Sequence, residues 1–258
     1  MEKMVRLSVI IPAYNEEKRI KRTLDAYCDF FDKKIDYEIW VIINGCRDNT
    51  LGVVREAAKR HKRIKYVDIG KVGSKGGAVN HGFKIAEGEM IGFVDADMAT
   101  PPGAFYELVE GIDEYDGIIA SRWIKGAKIS KKQSFKRVFA GRAFNLIVNL
   151  FFNLGIRDTQ CGAKLFRKEA VKKVCKELGI TKWAFDVDLL YQMKRAGYNI
   201  KEIPTEWNEP GGSHLKARTV IEMFLAVLRL RLIYSPLRFI VRLYDKLPRR
   251  MHIGEIVK

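Results

Sequence analysis

Short apolar runs of strand length recur along the first 121 residues, and amphipathic segments lie between them. The apolar runs cover residues 7–11, 37–43, 64–68, 90–94 and 117–121. The segments between them predict helices over 16–31, from about 50 to 59 and from the loop at 71–78 to 86, with Asn15 capping the first and Asp48 or Asn49 the second. Repeated alternation of strand and helix with short connections predicts an α/β fold whose central sheet is mostly parallel and flanked by helices.

The second half of the chain is less regular. Its pattern predicts a basic, aromatic-rich helix over 133–154, a loop of sequence DTQCGAKLF, helices over 168–178 and 186–196, and a strand over 199–203. A helical pattern then runs over 219–247 and is broken at Pro236. We therefore divide the chain into a folded domain, residues 1–216, with halves 1–121 and 122–216, and an amphipathic helical tail, residues 217–258.

Two carboxylates follow the fourth apolar run, Asp95 and Asp97, with Ala96 between them. In an extended segment, residues i and i+2 point to the same side, so both carboxylates can converge on one point. Carboxylates that close repel each other unless a cation lies between them. Their hard oxygen ligands suit Mg²⁺ or Mn²⁺, completed by water and substrate phosphates. The triplet alone leaves open the alternative of two solvated aspartates at a strand end.

Polar residues also follow the first two strands, at 12–16 and at 44–48. In doubly wound sheets, ligands bind beyond the carboxyl ends of the strands, where residues 95–97 also fall. This convergence is the main evidence for a nucleotide site.

The glycine-rich segment KVGSKGGA, residues 71–78, leads into a predicted helix. Free backbone N–H groups and the positive end of a helix dipole favour an anion there, and Lys75 adds a full charge. The segment matches neither GxGxxG nor the P-loop pattern, so alone it is more typical of a tight turn. Its place one helix before Asp95 and Asp97 makes it a candidate site for a metal-bound pyrophosphate.

The charge of the chain is strongly positive and uneven. The net charge is +16, and residues 122–150 contain eight Lys or Arg and no acid. Such clusters indicate an anionic partner, which could be a nucleic acid, a lipid surface or a phosphorylated substrate. For the tail, two interpretations stay open: helices packed on the domain, or helices lying on an anionic bilayer.

Other sequence features exclude several classes of protein. The four cysteines have no paired spacing, which predicts neither a zinc site nor a disulfide framework. We expect no transmembrane segment, because no apolar run approaches the length of about 18–20 residues that a membrane span requires. The N-terminal sequence MEKMVRLSVIIP is not typical of a signal peptide.

Several stretches together resemble a known family. The segment SVIIPAYNEE and the Asp-Ala-Asp strand end resemble glycosyltransferase family 2, whose GT-A fold binds nucleotide sugars. More specifically, the chain resembles the dolichyl-phosphate glucosyltransferases and, more loosely, the dolichyl-phosphate mannose synthases. The stretches that carry this closer resemblance are GSKGGAVNHGF, VDADMATPP, SRW, RDTQCGAKLFRKEAV, WAFDVDLLY and GGSHLK. The resemblance covers about residues 6–216.

The resemblance implies roles for individual residues. Asp97 would hold the metal at the diphosphate, and Asp95 would contact the ribose or the metal. Arg122 and Arg137 would bind the acceptor phosphate and, with Asp97, form the catalytic set. The residues expected at the substrates are Pro12, Ala13, Tyr14, Glu16, Asn44, Lys75, Gly76, Asp95, Ala96, Lys164, Asp186, Asp188, Ser213 and His214. Three positions depart from the family pattern: Asn44 replaces the usual Asp, Gly141 replaces a Ser of the mannose synthases, and His214 replaces the usual Lys.

The implied activity is an inverting transfer of a hexose from a nucleotide sugar to dolichyl or polyprenyl phosphate, with Mg²⁺ or Mn²⁺. UDP-glucose is the first expected donor, before GDP-mannose or UDP-N-acetylglucosamine. The enzyme is expected to be peripheral, on the cytoplasmic face of a membrane. Within the same fold, the alternative is a soluble or polysaccharide acceptor. A basic nucleic-acid-binding α/β protein would explain the charge but not the aspartate pair, so we expect no nucleic-acid partner.

Overall fold

The computed structural model describes residues 5–70, 74–130, 135–179, 183–209 and 217–246. The strands within these ranges are β1 Leu7–Ala13, β2 Tyr37–Ile43, β3 Ile64–Asp68, β4 Met90–Phe93, β5 Gly117–Ser121, β6 Lys128–Ile129, β7 Lys164–Arg167, β8 Ile200–Pro204 and β9 Glu206–Trp207. The helices are α1 Ile20–Phe31, α2 Thr50–Arg60, α3 Lys75–Ile85, α4 Pro102–Glu110, α5 Phe135–Phe152, α6 Lys168–Val174, α7 Phe185–Arg195, α8 Ala217–Ile233 and α9 Arg238–Lys246.

The central sheet has seven strands in the order β3-β2-β1-β4-β7-β5-β8. Strand β1 pairs in parallel with β2 on one side and with β4 on the other, so the chain winds in opposite directions from β1. A reversal of strand order leaves a crevice beyond the carboxyl ends of the two strands, where ligands bind in such folds. The predicted α/β fold with a mostly parallel sheet is confirmed.

Strand β7 corrects the prediction that DTQCGAKLF is a loop. Residues 164–167 form a strand that is antiparallel to both β4 and β5. Lys164 is the cross-strand partner of Phe93, the last residue of β4. Because the two strands run in opposite directions, the residues just before β7 lie beside the residues just after β4. This insertion brings residues 160–162 to the aspartates.

Helices cover both faces of the sheet and enclose two large apolar clusters. Side chains of α1, α2 and α4 fill the cluster on one face, and side chains of α3, α6 and α7 fill the cluster on the other. A third cluster joins α5, α7 and α8, with Val148, Val187 and Val227 among its buried members. Burial of these apolar surfaces is the main stabilising contribution, at about 25 cal/mol per Å².

The first helix begins later than the sequence indicates. Helix α1 starts at Ile20 rather than residue 16, and the prediction that Asn15 caps it is wrong. Asn15 has a left-handed backbone, with φ of 55°, and its Oδ1 accepts a hydrogen bond from the backbone N–H of Arg47 at 2.8 Å. The short polar side chain tolerates this conformation and joins the loop after β1 to the loop after β2.

Helix α2 begins at Thr50, close to the expected position. Of the two residues predicted to cap it, Asn49 occupies the position before the helix but makes no side-chain cap. Asp48 instead accepts from the backbone N–H of Thr50 at 3.1 Å and from that of Glu17 at 3.1 Å. One carboxylate therefore satisfies a free N–H at a helix start and fixes the neighbouring loop.

The tail forms two helices, α8 and α9, separated at Pro236 as the pattern predicts. Arg229 of α8 and Asp245 of α9 form a bidentate ion pair, with Nη2 at 2.9 and 2.8 Å from the two carboxylate oxygens. Of the helices in the described residues, none combines the length and hydrophobicity that a bilayer crossing requires.

Candidate functional site

A cavity of about 800 Å³ opens at the carboxyl ends of β1, β2 and β4. We call it the catalytic cavity, after the role that the sequence predicts for its residues. Its lining residues are Pro12, Ala13, Tyr14, Glu16, Asn44, Gly45, Arg47, Ser74, Lys75, Ala78, Asp95, Ala96, Asp97, Gln160, Trp183 and Asp186. The three strand-end segments that the sequence predicts to converge therefore do meet at one place.

Asp95 and Asp97 both reach this cavity, and their environments differ. Asp95 accepts from the Nζ of Lys75, whereas Asp97 accepts from the backbone N–H of Ala99 at 3.1 Å. Burial raises the pKa of Asp97, and the charge of Asp95 raises it further. Desolvation acts to lower the pKa of Lys75, but the surrounding carboxylates, Asp95 first, outweigh it and raise that pKa above its ordinary value.

A third carboxylate, that of Glu16, interacts electrostatically with Asp95 and Asp97. Burial raises the pKa of Glu16, the ion pair with Arg19 opposes the shift, and Asp97 and Asp95 add to it. Three acids in mutual repulsion indicate a place that favours an additional positive charge.

The start of α3 supports the nucleotide side of the cavity. Ser74 is the N-cap: its Oγ accepts from the backbone N–H of Gly77 at 3.1 Å. The side-chain amide of Asn44 donates to the carbonyl oxygen of Ser74 at 3.0 Å, which ties the end of β2 to this helix. Gly76 does not line the cavity. A Cβ at this position would lie 2.4 Å from the Phe185 side chain, so the lack of a side chain at Gly76 lets α3 pack on α7.

A further part of the cavity wall comes from the segment before β7. A Cβ on Gly162 would lie only 2.0 Å from Oδ2 of Asp95, so glycine is needed for this contact. Two residues earlier, Gln160 lines the cavity, and its buried Nε2 has no hydrogen-bond partner among the described residues. A buried donor without a partner is costly, which makes this amide a candidate contact for a bound ligand.

Lys164 lies beneath the cavity and does not line it. Its side chain is 0% exposed, and Nζ donates to Asp186 Oδ1 at 2.5 Å and to the carbonyl oxygen of Cys161 at 2.7 Å. A buried ammonium is tolerable because these oxygens replace water. The structure therefore places Lys164 behind Asp186, as the group that fixes this cavity-lining carboxylate.

The two arginines predicted to bind an acceptor phosphate are each paired with a carboxylate. Nε and Nη2 of Arg122 donate to Asp158 at 2.7 and 2.9 Å, and the guanidinium lies over the rings of Trp123 and Trp207. Arg137 of α5 pairs with Glu209. Neither arginine lines the catalytic cavity. Their role at a phosphate stays a prediction.

Of the three remaining predicted residues, Asp188 falls within the described ranges. Asp188 is fully buried, and its Oδ1 accepts from the hydroxyl of Tyr234 at 2.6 Å, which connects α7 to the end of α8. Asp188 therefore lies outside the catalytic cavity. Ser213 and His214 fall outside the described residues.

The carboxylates fit a divalent cation that the ligand helps to hold. In the described residues, no group of three or more His, Cys, Asp or Glu side chains is arranged to hold a metal ion by itself. Two carboxylates plus the oxygens of a nucleotide diphosphate and water are, however, the usual set for Mg²⁺ or Mn²⁺. Asp95 and Asp97 are the residues that would hold it.

Sequence reasoning missed several residues of this site. Gln160 and Asp158 stand in DTQCGAKLF, a motif in which we predicted a role for Lys164 only. Trp183 stands in WAFDVDLLY and lines the cavity while 40% of its surface stays exposed. Arg47 follows Asn44 in the loop after β2. The signal for each was its proximity to a motif, but the positions of Gln160 and Asp158 depend on the antiparallel placement of β7.

Comparison with known proteins shows the family of this chain. The profile of the family described as Glycosyl transferase family 2 matches residues 8–175. The chain belongs to glycosyltransferase family 2. It is therefore a glycosyltransferase, as the sequence motifs predict, and the predicted family is confirmed.

Named relatives of this glycosyltransferase agree with the closer resemblance. A dolichyl-phosphate beta-glucosyltransferase of Drosophila melanogaster is 34% identical over 226 residues, which cover 82% of this chain and 69% of the relative. Another, from Trichomonas vaginalis, is 31% identical over 242 residues, covering 89% of this chain and 72% of the relative.

Among solved structures, the glycosyltransferase resembles glucosyl-3-phosphoglycerate synthase from Mycobacterium tuberculosis. The complex of that enzyme with Mn²⁺, uridine diphosphate and glucosyl-3-phosphoglycerate matches with a TM-score of 0.65 and 18% identity. The match covers 88% of this chain and 79% of the other. Likeness at this identity shows the fold, and the predicted GT-A fold is confirmed.

Proposed function

We propose that this glycosyltransferase transfers glucose from UDP-glucose to dolichyl or a related polyprenyl phosphate, with inversion at the anomeric carbon. The observation that carries the proposal is the catalytic cavity, which joins Lys75, Asp95, Asp97 and the buried amide of Gln160 in one space of about 800 Å³. It is supported by relatives at 31 and 34% identity that are named dolichyl-phosphate beta-glucosyltransferases.

The donor binds at the strand ends in this proposal. Asn44 and the segment 12–16 line the base and ribose, and Lys75 with the start of α3 faces the diphosphate. Asp95 and Asp97 would hold a divalent cation, which when bound would supply Lewis-acid stabilisation of the departing diphosphate. The structural neighbour's complex contains Mn²⁺ and uridine diphosphate. Gln160 donates a hydrogen bond to the bound donor from the segment before β7.

The acceptor requires no protein base. Phosphomonoesters have a second pKa of about 6, so a lipid phosphate oxygen is already a nucleophile near neutral pH. Asp186 lines the cavity, but its Oδ1 accepts a hydrogen bond from the buried Lys164, which suits a fixed charge better than a proton acceptor. Direct attack at the anomeric carbon would convert an α-linked donor into a β-linked lipid-phosphate sugar.

Arg122 and Arg137 position the acceptor phosphate in this proposal. The pair with Asp158 uses Nε and Nη2 of Arg122, and a guanidinium has five N–H donors, so Nη1 can still donate to phosphate oxygens. Asp158 then fixes the orientation of the group that holds the acceptor.

A membrane surface is the proposed source of the acceptor. Within the described chain, 14 large apolar residues are exposed, and most of them lie on α5, α8, α9 or the turn before α9. Those eleven are Phe139, Leu146, Leu150, Val220, Ile221, Phe224, Leu228, Leu237, Phe239, Ile240 and Leu243. Exposed apolar residues concentrated on three helices indicate a partner, and a polyprenyl acceptor favours a lipid bilayer, at its cytoplasmic face.

The test supplies purified protein with Mg²⁺ or Mn²⁺, dolichyl phosphate in detergent and, in separate reactions, radiolabelled UDP-glucose, GDP-mannose or UDP-N-acetylglucosamine. We expect metal-dependent transfer of label from UDP-glucose into the organic phase, lost in Asp97→Ala. Transfer from another donor would correct the sugar and keep the lipid acceptor. Label in water-soluble products alone would instead favour a soluble or polysaccharide acceptor and overturn the proposal.

A further inference from the structure

A second cavity of about 810 Å³ lies between α6, α7 and the turn that joins α8 to α9. It shares no lining residue with the catalytic cavity. Four cations line it: Lys173 of α6, Arg195 of α7, and Arg238 and Arg242 of α9. Glu177 is the one carboxylate among its described lining residues. We call this cavity the basic cleft.

In the part of the chain that the structure describes, these four cations form no ion pair. Within the described residues, none of them has a carboxylate oxygen within 4.0 Å. Arg195 instead lies over the ring of Tyr234, 5.3 Å from its centre, and Lys173 lies 5.7 Å from the centre of the Tyr198 ring. Such contacts orient a cation without removing its charge.

Four other cations of the same half of the chain form ion pairs with carboxylates. Arg122, Arg137, Lys164 and Arg229 each have a carboxylate partner. The four cations of the basic cleft have no such partner among the described residues and lie together around one cavity, so their accumulated charge favours an anionic ligand. Guanidinium groups bind phosphate oxygens through paired hydrogen bonds, which indicates a phosphate group.

The floor of the basic cleft is held in place by hydrogen bonds. The hydroxyl of Tyr234 donates to Asp188 Oδ1 at 2.6 Å and accepts from Nε2 of Gln192 at 2.8 Å. Ser235 Oγ donates to the carbonyl oxygen of Leu232 at 2.9 Å and accepts from the backbone N–H of Leu237 at 3.1 Å. The turn that presents Arg238 is therefore organised before any ligand binds.

The surroundings of the basic cleft favour a lipid as the source of the phosphate. Phe239, Ile240 and Leu243 are exposed on α9, the helix that also carries Arg238 and Arg242. Residues 238 and 242 are one turn apart on one side of the helix, and residues 239, 240 and 243 lie on the remaining exposed surface. A phosphate in the cleft would thus be continuous with an apolar surface that suits acyl chains.

We propose that the basic cleft binds the phosphate headgroup of an anionic membrane lipid, at a site separate from the catalytic cavity. This inference rests on the proposed contact with a bilayer, but not on which sugar or acceptor the enzyme uses. It assigns the cleft to docking and orienting the protein on an anionic bilayer.

The test compares binding of the full-length protein to vesicles of phosphatidylcholine alone and of phosphatidylcholine with phosphatidylglycerol in equal parts. We expect the affinity of Arg238→Gln/Arg242→Gln for the anionic vesicles to fall by about tenfold or more, and its affinity for the neutral vesicles to equal that of the wild type. Lys173→Gln, on the opposite wall, should lose affinity in the same direction. The control Arg22→Gln/Arg55→Gln removes two exposed charges from α1 and α2 on the other face of the sheet, and should bind normally.

Several outcomes would overturn the proposal. An equal loss in the control would show a diffuse effect of net charge, and unchanged binding of Lys173→Gln would exclude the cleft as the site. Competition by inorganic phosphate in place of lipid would identify a site for a soluble anion. Equal binding of the wild type to both kinds of vesicle would contradict a lipid-phosphate site in the basic cleft but not the proposed contact with a bilayer. Binding to neither kind would contradict both. Melting curves of every variant should match that of the wild type.

Discussion

Three acids of the catalytic cavity, Asp95, Asp97 and Glu16, lie in one electrostatic field, and each has a different compensation. Asp95 has Lys75, and Glu16 has Arg19, whereas Asp97 has the backbone N–H of Ala99. Functional sites often retain such unfavourable charges because a ligand satisfies them. The cost should therefore be measurable in the free protein and should disappear with the ligand.

Asp97→Asn should stabilise the free protein and inactivate the enzyme. The folded-state pKa of Asp97 is raised, so the unfolded chain loses this proton at a lower pH than the folded chain. The destabilising contribution consequently sets in as the pH rises through the ordinary carboxyl range, and it is still present at pH 7. We expect a higher Tm for metal-free Asp97→Asn at pH 7, and a loss of about a hundredfold or more in kcat/KM.

Calorimetry with and without Mn²⁺ and UDP checks this prediction. Ligands that bind the folded state raise the Tm of the wild type, whereas Asp97→Asn should respond weakly. Asp29→Asn, an exposed acid on α1, is the matched control. A lower Tm for metal-free Asp97→Asn at pH 7 would show that Asp97 is a stabilising residue instead.

Gln160→Leu should weaken binding of the donor. The substitution keeps the approximate volume and removes the buried Nε2–H group that lacks a partner among the described residues. Without ligand, the change should leave stability the same or higher, because an unsatisfied donor is removed. A hydrogen bond to a charged oxygen is worth about 1.5–3 kcal/mol, so we expect about a tenfold to hundredfold loss of affinity.

Titration of UDP and of UDP-glucose into the variant locates the lost contact. Loss for both ligands would place Nε2 at the nucleotide diphosphate, and loss for UDP-glucose alone would place it at the sugar. Unchanged affinity for both, together with an unchanged Tm, would contradict a ligand role for Gln160.

At the scale of single elements, the sequence predicted what depends on local pattern. The apolar runs before Asn44 and Asp95 indicated strands, and parallel pairing of β1, β2 and β4 then brought their polar ends together. Helix α1 was predicted too long, because the turn at residues 14–19 is fixed by Asp48 and Thr50, which are distant in sequence. No local pattern contains that information.

Strand β7 shows the same limit at the catalytic cavity. It has four residues, and its two apolar members, Leu165 and Phe166, lie between Lys164 and Arg167. Its pairing with β4 and β5, at sequence separations of about 45 to 75 residues, makes it a strand. The motif DTQCGAKLF could be recognised as functional, but the positions of Gln160 and Gly162 followed only from this pairing.

Gly162→Ala tests whether the junction of β4 and β7 sets the position of Asp95. An added Cβ would meet Oδ2 of Asp95 at 2.0 Å, so the carboxylate must move. Misplacing a catalytic group by about 1 Å can cost about a hundredfold, and we expect kcat/KM to fall by about tenfold to a hundredfold with the fold retained.

Gly103→Ala in α4 is the control, because a Cβ there would make only ordinary contact, 3.8 Å from the Phe30 ring. The measurement combines steady-state kinetics with the metal concentration required for half-maximal activity. If Gly162→Ala had normal kinetics and a normal metal requirement, the close approach to Asp95 would have no part in the chemistry.

For the whole molecule, the architecture separates the polar catalytic cavity from an exposed apolar surface. The catalytic cavity lies at the sheet ends, whereas the exposed apolar side chains concentrate on α5, α8 and α9. Helix α8 packs on α5 and α7 through Val227 and Leu230, and the pair of Arg229 with Asp245 then fixes α9 to α8. The exposed apolar surface is thus part of the folded unit, so in the proposed membrane contact its orientation on a bilayer would also orient the cavity.

Phe239→Ser/Leu243→Ser should therefore separate chemistry from access to the acceptor. Full burial of one such side chain contributes about 1.5–3 kcal/mol. Even if the two side chains insert only partly, the double variant should bind vesicles about tenfold or more weakly than the wild type. We expect transfer to dolichyl phosphate embedded in vesicles to fall by a similar factor. Transfer to a short-chain, water-soluble polyprenyl phosphate should keep its rate, because the cavity and its carboxylates are unchanged.

The control for this comparison is Tyr66→Ser, which removes an exposed apolar side chain from β3. Equal loss with both acceptors would mean that α9 supports the catalytic cavity itself rather than a lipid contact. Equal retention with both would place the membrane surface elsewhere on the molecule. A loss confined to the embedded acceptor is the result that the apolar surface of α9 predicts, since the variant changes only how often the cavity meets a lipid in the plane of the bilayer.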